Sequence, residues 1–247
     1  MDRTTNPIYS ILTMKNLLFI LILFCSFQGF GQIKGYWKLN ANANDFSGNS
    51  LNGSNTYGTA NYSGGYLNTA ASLAGIEVAD NVLLNPSSSN FYVSVWFKTS
   101  SSLAKERYIL TKYGSDGYNC YMVRMNPTHK IFYFFRDGSD NAISFTTTAA
   151  YNDGKWHHCV SAKIGTTLYA YMDGVLLGTN TNTSIGIMNT NSKMGIGYYM
   201  NPNNTWYQAP GDGLQWVGGI KNLVIGKDFA VTNAFVKNQY AYGKGFF

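Results

Sequence analysis

Apolar and polar positions alternate, every second residue, along most of the chain. In NFYVSVWFKTS (90–100), Phe91, Val93, Val95 and Phe97 alternate with Tyr92, Ser94, Trp96 and Lys98. Successive residues of an extended chain point to opposite faces, so this pattern predicts strands. GYWKLN (35–40), RYILTKYG (107–114), NCYMVRM (119–125) and KIFYFFRDG (130–138) repeat it, and YLNTA and IEVAD add shorter runs. Clusters of Gly, Asn, Ser and Asp punctuate the runs at roughly 10–15-residue spacing, as in a sandwich or barrel. NANANDFSGNSLNGSNTYG (40–58) reads as a long polar loop. Helical periodicity appears only near the end. FAVTNAFVKNQYAYG (229–243) predicts one short helix with Thr232 as N-cap and Gly243 beyond its last turn. No linker or shift in composition divides residues 33–247, so one domain is expected there.

The stretch DGKWHHCVSAKIGTTLYAYMDGVLLG (153–178) looks chemical, because two of the three histidines stand side by side in it. Its pattern predicts strand, Gly165-Thr166-Thr167 turn, strand, and an Asp173-Gly174 hairpin turn. Trp156, His158, Val160 and Ala162 then share one face. His157 and His158 point opposite ways and cannot grip one metal ion.

Composition sharpens this picture. Only 12% of the 247 residues are charged, 16% are aromatic and 26 are glycine. That balance suits turn-rich β structure and excludes disorder and a helical bundle. The formal net charge of +6 is spread thinly, with no Lys/Arg run longer than two. Nucleic-acid binding needs a concentrated basic patch, so it is not expected. Met14-Lys15-Asn16, then LLFILILFCSF and QGFGQ, read as a signal peptide ending near residue 32, with residues 1–13 upstream of it. Export, to the medium or the cell surface, is expected. Export leaves Cys120 and Cys159, which could form a disulfide or remain buried thiols.

The hairpin motif D-G-K-W-H-H-x-V…L-Y-x-Y-x-D-G-V-x-x-G resembles the central signature of laminin G-like, concanavalin A-like domains. YWKLN…NDFSGNSLNG, FYVSVWFKT, ILTKYGSDGYNCYMV, KMGIGYY and WVGGIKNLVIGKDFAVTNAFVKNQY resemble the family's other segments in the expected order. The resemblance covers residues 35–242. It implies an all-β fold, a two-sheet antiparallel jelly-roll sandwich with one short C-terminal helix. Many such domains share a calcium ion between the early Asp-x-Ser-Gly-Asn loop and an Asp on the closing strand. Here Asp45, Ser47 and Asn49 keep the loop, but Lys221 and Asn222 stand where the second carboxylate would be. Calcium or a plain Asx turn are both open at this loop.

Some relatives hydrolyse glycans, which needs two opposed carboxylates. Beyond residue 32 the only glutamates are Glu77 and Glu106, and Asp137 and Asp140 fall at a hairpin tip, where solvent keeps carboxylates ordinary. Catalysis is not expected. Binding is, to a glycan or to a cell-surface protein. The candidate contacts lie in GYYMNPNNTWYQAPGDGLQW (197–216): Trp206 and Tyr207 to stack on a ligand, with Asn203 and Asn204 to bond its hydroxyls. Tyr113 and Tyr118 are further candidates. Tyr198 and Trp216 are expected to lie on strands and fill the core.

Overall fold

The computed structural model describes residues 33–72, 75–114, 118–200 and 214–244. Among these residues, strands build two antiparallel sheets of seven. The first sheet runs β1 (Ile33–Trp37), β14 (Gly219–Lys227), β5 (Phe91–Lys98), β10 (His157–Ile164), β11 (Thr167–Met172), β12 (Val175–Thr181), with β3 (Leu67–Asn68) also paired to β14. The second runs β2 (Gly53–Tyr57), β4 (Gly75–Val78), β13 (Met194–Ile196), β6 (Arg107–Tyr113), β7 (Cys120–Met125), β8 (Lys130–Arg136), β9 (Ala142–Ala150).

The alternation read from the sequence decides what faces inward. Phe91, Val93, Val95 and Phe97 of β5 meet Tyr121, Val123 and Met125 of β7 and Ile131, Tyr133 and Phe135 of β8 in one core. Each large side chain buried there contributes about 1.5–3 kcal/mol. Where the sandwich closes along one side, β12 reaches across to β9. Asn180 Nδ2 donates to the Ser144 carbonyl at 2.9 Å and Asn182 Nδ2 to that of Ala142 at 3.0 Å. Those bonds occupy carbonyls that a free strand edge would leave open.

The C-terminal helix spans Asn233–Lys244. Thr232 caps it: its hydroxyl accepts from Phe235 N at 3.2 Å and its carbonyl from Val236 N at 3.1 Å. Val236 and Phe235 of the helix, with Val231 and Phe229 before it, pack on Tyr92, Val160, Ala162 and Tyr171 on the outer face of the first sheet. Gly243 falls inside the helix rather than beyond it. A Cβ there would stand 2.5 Å from Trp96 Nε1, so only glycine lets the last turn settle on that indole.

Two other segments differ from the sequence reading. GSNTY (53–57) pairs with β4 as an edge strand, although it lacks apolar alternation. An edge facing water does not need that pattern. Thr69 and Ala70, the end of the run YLNTA read as strand, instead begin a short helical turn, Thr69–Ser72. No helix among the described residues is long and apolar enough to cross a membrane.

Candidate functional site

Strands β6, β7 and β8 carry apolar or aromatic side chains on both faces. Their outward residues form three rows across the second sheet. In the first row, Tyr108 pairs with Arg124 and Arg124 with Phe132. The Arg124 guanidinium lies 4.5 Å from the Phe132 ring centre and 5.8 Å from that of Tyr108. Glu106 pairs with Arg124 and accepts the Tyr108 hydroxyl at 3.0 Å. Burial, with the Glu106 charge beside it, raises the Tyr108 pKa despite Arg124, so the phenol stays a donor.

The second row is Thr111, Met122 and Phe134, and the third is Tyr113, Cys120 and Arg136. Phe132 and Phe134 stack at 5.5 Å. Arg136 lies 5.5 Å from the Tyr113 ring, 5.2 Å from Tyr118 and 5.8 Å from Phe134. Its guanidinium donates to Asp140 at 3.2 Å and to the Tyr113 hydroxyl. Burial works against its charge, but Cys120, Tyr113 and Asp140 outweigh that and raise its pKa. With strands ~4.8 Å apart and rows ~6.7 Å apart, the platform measures about 10 by 13 Å.

A connecting segment is anchored on this same face at both ends. Tyr199 packs on Tyr108 at 4.9 Å and on Tyr113 at 5.9 Å. The Thr111 hydroxyl donates to the Tyr198 carbonyl at 2.8 Å and accepts from Met200 N at 3.3 Å. Where the chain resumes, the Leu214 carbonyl accepts from Tyr108 N at 3.2 Å. Trp206, Tyr207, Asn203 and Asn204 belong to residues 201–213, outside the described residues. Tyr113 and Tyr118 are described, and Arg136 brings them together. Tyr198 and Trp216 are buried as expected, though in irregular backbone beside β13 rather than on strands. Sequence reasoning missed Arg124, Phe132, Phe134 and Arg136. Their signal was KIFYFFR, a strand aromatic on both faces, which must meet a second cover besides the core.

The other candidate residues have structural partners. Asp45 accepts four bonds: Tyr36 N and Ser47 N at 2.9 Å, the Ser47 hydroxyl at 2.7 Å and Leu51 N at 3.0 Å. Asn49 turns its Nδ2 toward Lys34 O and Ser47 Oγ. Donors fill both carboxylate oxygens, so this Asx turn does not fit a calcium ion as it stands. No disulfide joins Cys120 and Cys159, and both thiols are buried. Cys159 faces the core while Cys120 faces outward from the other sheet, so their side chains diverge.

The histidines do point opposite ways. His157 lies between Asp173 at 2.8 Å and Asp153 at 3.0 Å. Burial alone would lower its pKa, but these carboxylates raise it. His158 is buried, bonds Ser94 at 2.7 Å and stacks on Trp96, and burial lowers its pKa to about 4. Asp173 and Gly174 take φ of 51° and 81°, the left-handed pair of a two-residue hairpin turn. Asp173 also accepts from His158 N at 2.8 Å, tying the turn to β10.

Asp137 departs from the reading of a solvated hairpin tip. It is only 3% exposed, and its carboxylate accepts from Ser139 N, Asn141 N, Asn141 Nδ2 and Gly186 N. Burial would raise its pKa, but these bonds lower it. Glu77 bonds Lys193 at 2.8 Å.

The profile of the Concanavalin A-like lectin/glucanases superfamily matches residues 70–216. The chain belongs to this superfamily. No curated protein sequence matches it. Solved structures share the concanavalin A-like fold at low identity. Domain 4 of AbnA, an extracellular arabinanase from Geobacillus stearothermophilus solved with arabinotriose, is 18% identical at a TM-score of 0.59; 84% of this chain and 97% of that one align. The ligand-binding domain of botulinum neurotoxin serotype D, solved with N-acetylneuraminic acid, is 16% identical at 0.65 over 86% of this chain and 51% of its own. The binding domain of Paraclostridial Mosquitocidal Protein 1 is 13% identical at 0.64 over 86% and 53%. The chain thus spans about half the length of these toxin domains.

Proposed function

We propose that this chain is an exported, non-catalytic binding module that recognises carbohydrate on the outer face of its second sheet. One observation carries the reading. Phe132, Phe134, Tyr113 and Tyr118 alternate with Arg124 and Arg136 on the outer face of the second sheet, beside the buried Tyr108 that Tyr199 covers. Ring faces suit the C–H surface of a sugar, and guanidinium and phenol groups suit its hydroxyls. Trp206 and Tyr207, with Asn203 and Asn204, follow Met200 in sequence and are proposed as further contacts. The arabinotriose and N-acetylneuraminic acid complexes of similarly folded domains support a saccharide as the ligand. The apolar, basic N-terminal segment supports export.

A glycan array probed with the full chain and with Phe134→Ala tests this. Binding of a glycan set by the native chain, weakened by the substitution, is the expected result. Equal binding by both would remove the site. A second reading, an interaction subunit of a cell-surface assembly, is favoured by Val175, Leu176 and Leu177, exposed in succession on edge strand β12. Co-purification in a stoichiometric complex that sugar does not release would support it.

A further inference from the structure

The inner face of β6 carries two buried cations, and they are treated differently. Lys112 is fully buried, and its ammonium reaches Asp80 at 2.6 Å and the carbonyls of Ser192 at 2.5 Å and Thr190 at 3.5 Å. Its charge has a counter-ion. Arg107, five residues earlier, is also fully buried, and among the described residues no carboxylate lies within ion-pair distance of it. One guanidinium nitrogen, Nη2, makes a close contact with the weak acceptor Met125 Sδ at 3.1 Å and two long ones, to the Ser101 carbonyl and His129 Nδ1 at 3.4 Å. Nε and Nη1 have no hydrogen-bond partner.

This arrangement is costly as it stands. A buried charge without a partner is strongly unfavourable, and so is each unmet donor. A lysine can escape by losing its proton, and burial lowers the pKa of Lys163 in that direction. An arginine cannot. Nor does His129 neutralise the charge. An imidazole carries no negative charge to offer, and at 3.4 Å its Nδ1 can only accept from the guanidinium, which has no acceptor of its own. The surroundings are fixed by the backbone. His129 holds φ of 61° at the β7–β8 turn, its N–H donating to the Asn126 carbonyl at 2.9 Å. The Ser101 carbonyl also accepts from Asn152 Nδ2 at 3.4 Å.

We propose that Arg107 holds a small monovalent anion, of the size and charge of chloride, at this end of the sandwich beside Ser101 and His129. The anion would supply the counter-charge that Asp80 gives Lys112 and would accept from the guanidinium donors that the protein leaves unmet. Complete burial favours a bare halide over a carboxylate carried on a saccharide or peptide. This site is separate from the platform on the outer face, since Arg107 points into the core beside Met125 while Tyr108 points outward.

The test is thermal unfolding of the full chain at fixed ionic strength, with sodium gluconate replaced stepwise by sodium chloride, and by sodium acetate in a parallel series. The midpoint should rise by a few degrees with chloride and level off, and should change less with acetate. Arg107→Met should remove the chloride dependence. An equal response in Arg107→Met, or none in the native chain, would overturn the proposal. A larger response to acetate would assign the site to a carboxylate and overturn the halide. Should Arg107→Met fail to fold, crystals of the native chain grown from sodium bromide decide. An anomalous peak within hydrogen-bond reach of Arg107 Nε or Nη1 supports the site, and its absence contradicts it.

Discussion

The two outer faces of the sandwich meet one problem in two ways. Both carry aromatic side chains that cannot all face water without cost. On the first sheet, Tyr92, Trp96, Val160 and Tyr171 lie beneath the C-terminal helix and the segment leading to it. Trp96, His158 and Tyr240 form a three-ring cluster, with Trp96 5.1 Å from His158 and 5.5 Å from Tyr240. On the second sheet, Tyr108, Phe132, Phe134, Tyr113 and Tyr118 are interleaved with arginines, and no described helix lies over them. Aromatic rings alone therefore do not mark a site. Rings already stacked on the protein's own helix are packing; on the second sheet Tyr199 and Leu214 bury Tyr108 and Met122, and the half-buried rings beside the arginines, Phe132, Phe134 and Tyr113, are the ones left to meet a ligand.

The helix-covered face should respond in stability and the platform in binding. The largest effect is expected from Trp96→Ala, which removes the ring beneath Tyr240 and Gly243. Denaturant unfolding should show a loss of about 3–5 kcal/mol, with glycan binding by the remaining folded protein unchanged. Loss of binding at constant stability would reverse the assignment of the two faces.

The adjacent histidines should give stability a maximum near pH 6.5. His158, beneath the helix, has its folded pKa lowered to about 4. Between that value and about 6.5 the unfolded chain binds more protons, so stability falls as pH falls, by on the order of 3 kcal/mol across the window. His157, at the rim, has its folded pKa raised by Asp173 and Asp153. Its contribution is complete below about pH 6.5 and is lost as pH rises through the folded pKa. Urea unfolding across pH 4–8 measures both limbs. His158→Gln should flatten the acid limb and His157→Gln the alkaline one; a slope unchanged by its own substitution would contradict the assignment.

A smaller change is expected on the platform. Phe134→Ala and Tyr113→Ala should each weaken glycan binding about tenfold, near 1.4 kcal/mol, with stability lowered by about 1 kcal/mol or less. Titration calorimetry separates this from a folding defect. The smallest effect concerns the cysteines. Because no disulfide joins Cys120 and Cys159, a reductant should leave the melting temperature unchanged. A drop of several degrees would mean that they bridge after all.

The fold was legible because one face of nearly every strand is buried, and burial enforces alternation. Phe91–Phe97 and Ile131–Phe135 show that rule directly. The hairpin turn at Asp173-Gly174 was legible because few residue pairs accept positive φ twice in succession. The edge strand Gly53–Tyr57 was not, since an edge can form from polar residues through backbone bonds alone. Gly243 was misread because glycine after a helical run usually ends it, whereas here it makes room for an indole distant in sequence. The site was legible only in part. Tyr113 and Tyr118 stood out as loop aromatics, but Arg124 and Arg136 looked like ordinary strand residues. Their meaning lies in which rings the register places beside them, and register between strands is a property of the folded sheets.

Met122 stands in the middle row of the platform, between Thr111 and Phe134. Its methyl group reports on that face from within. With the chain carrying 13C-methyl methionine, titration with a glycan identified on the array should shift the Met122 resonance and spare Met172 in the core beneath the first sheet. Saturable movement of Met122, abolished by Phe134→Ala, is the predicted result. Binding that leaves Met122 unmoved, or no glycan binding at all, would contradict the account.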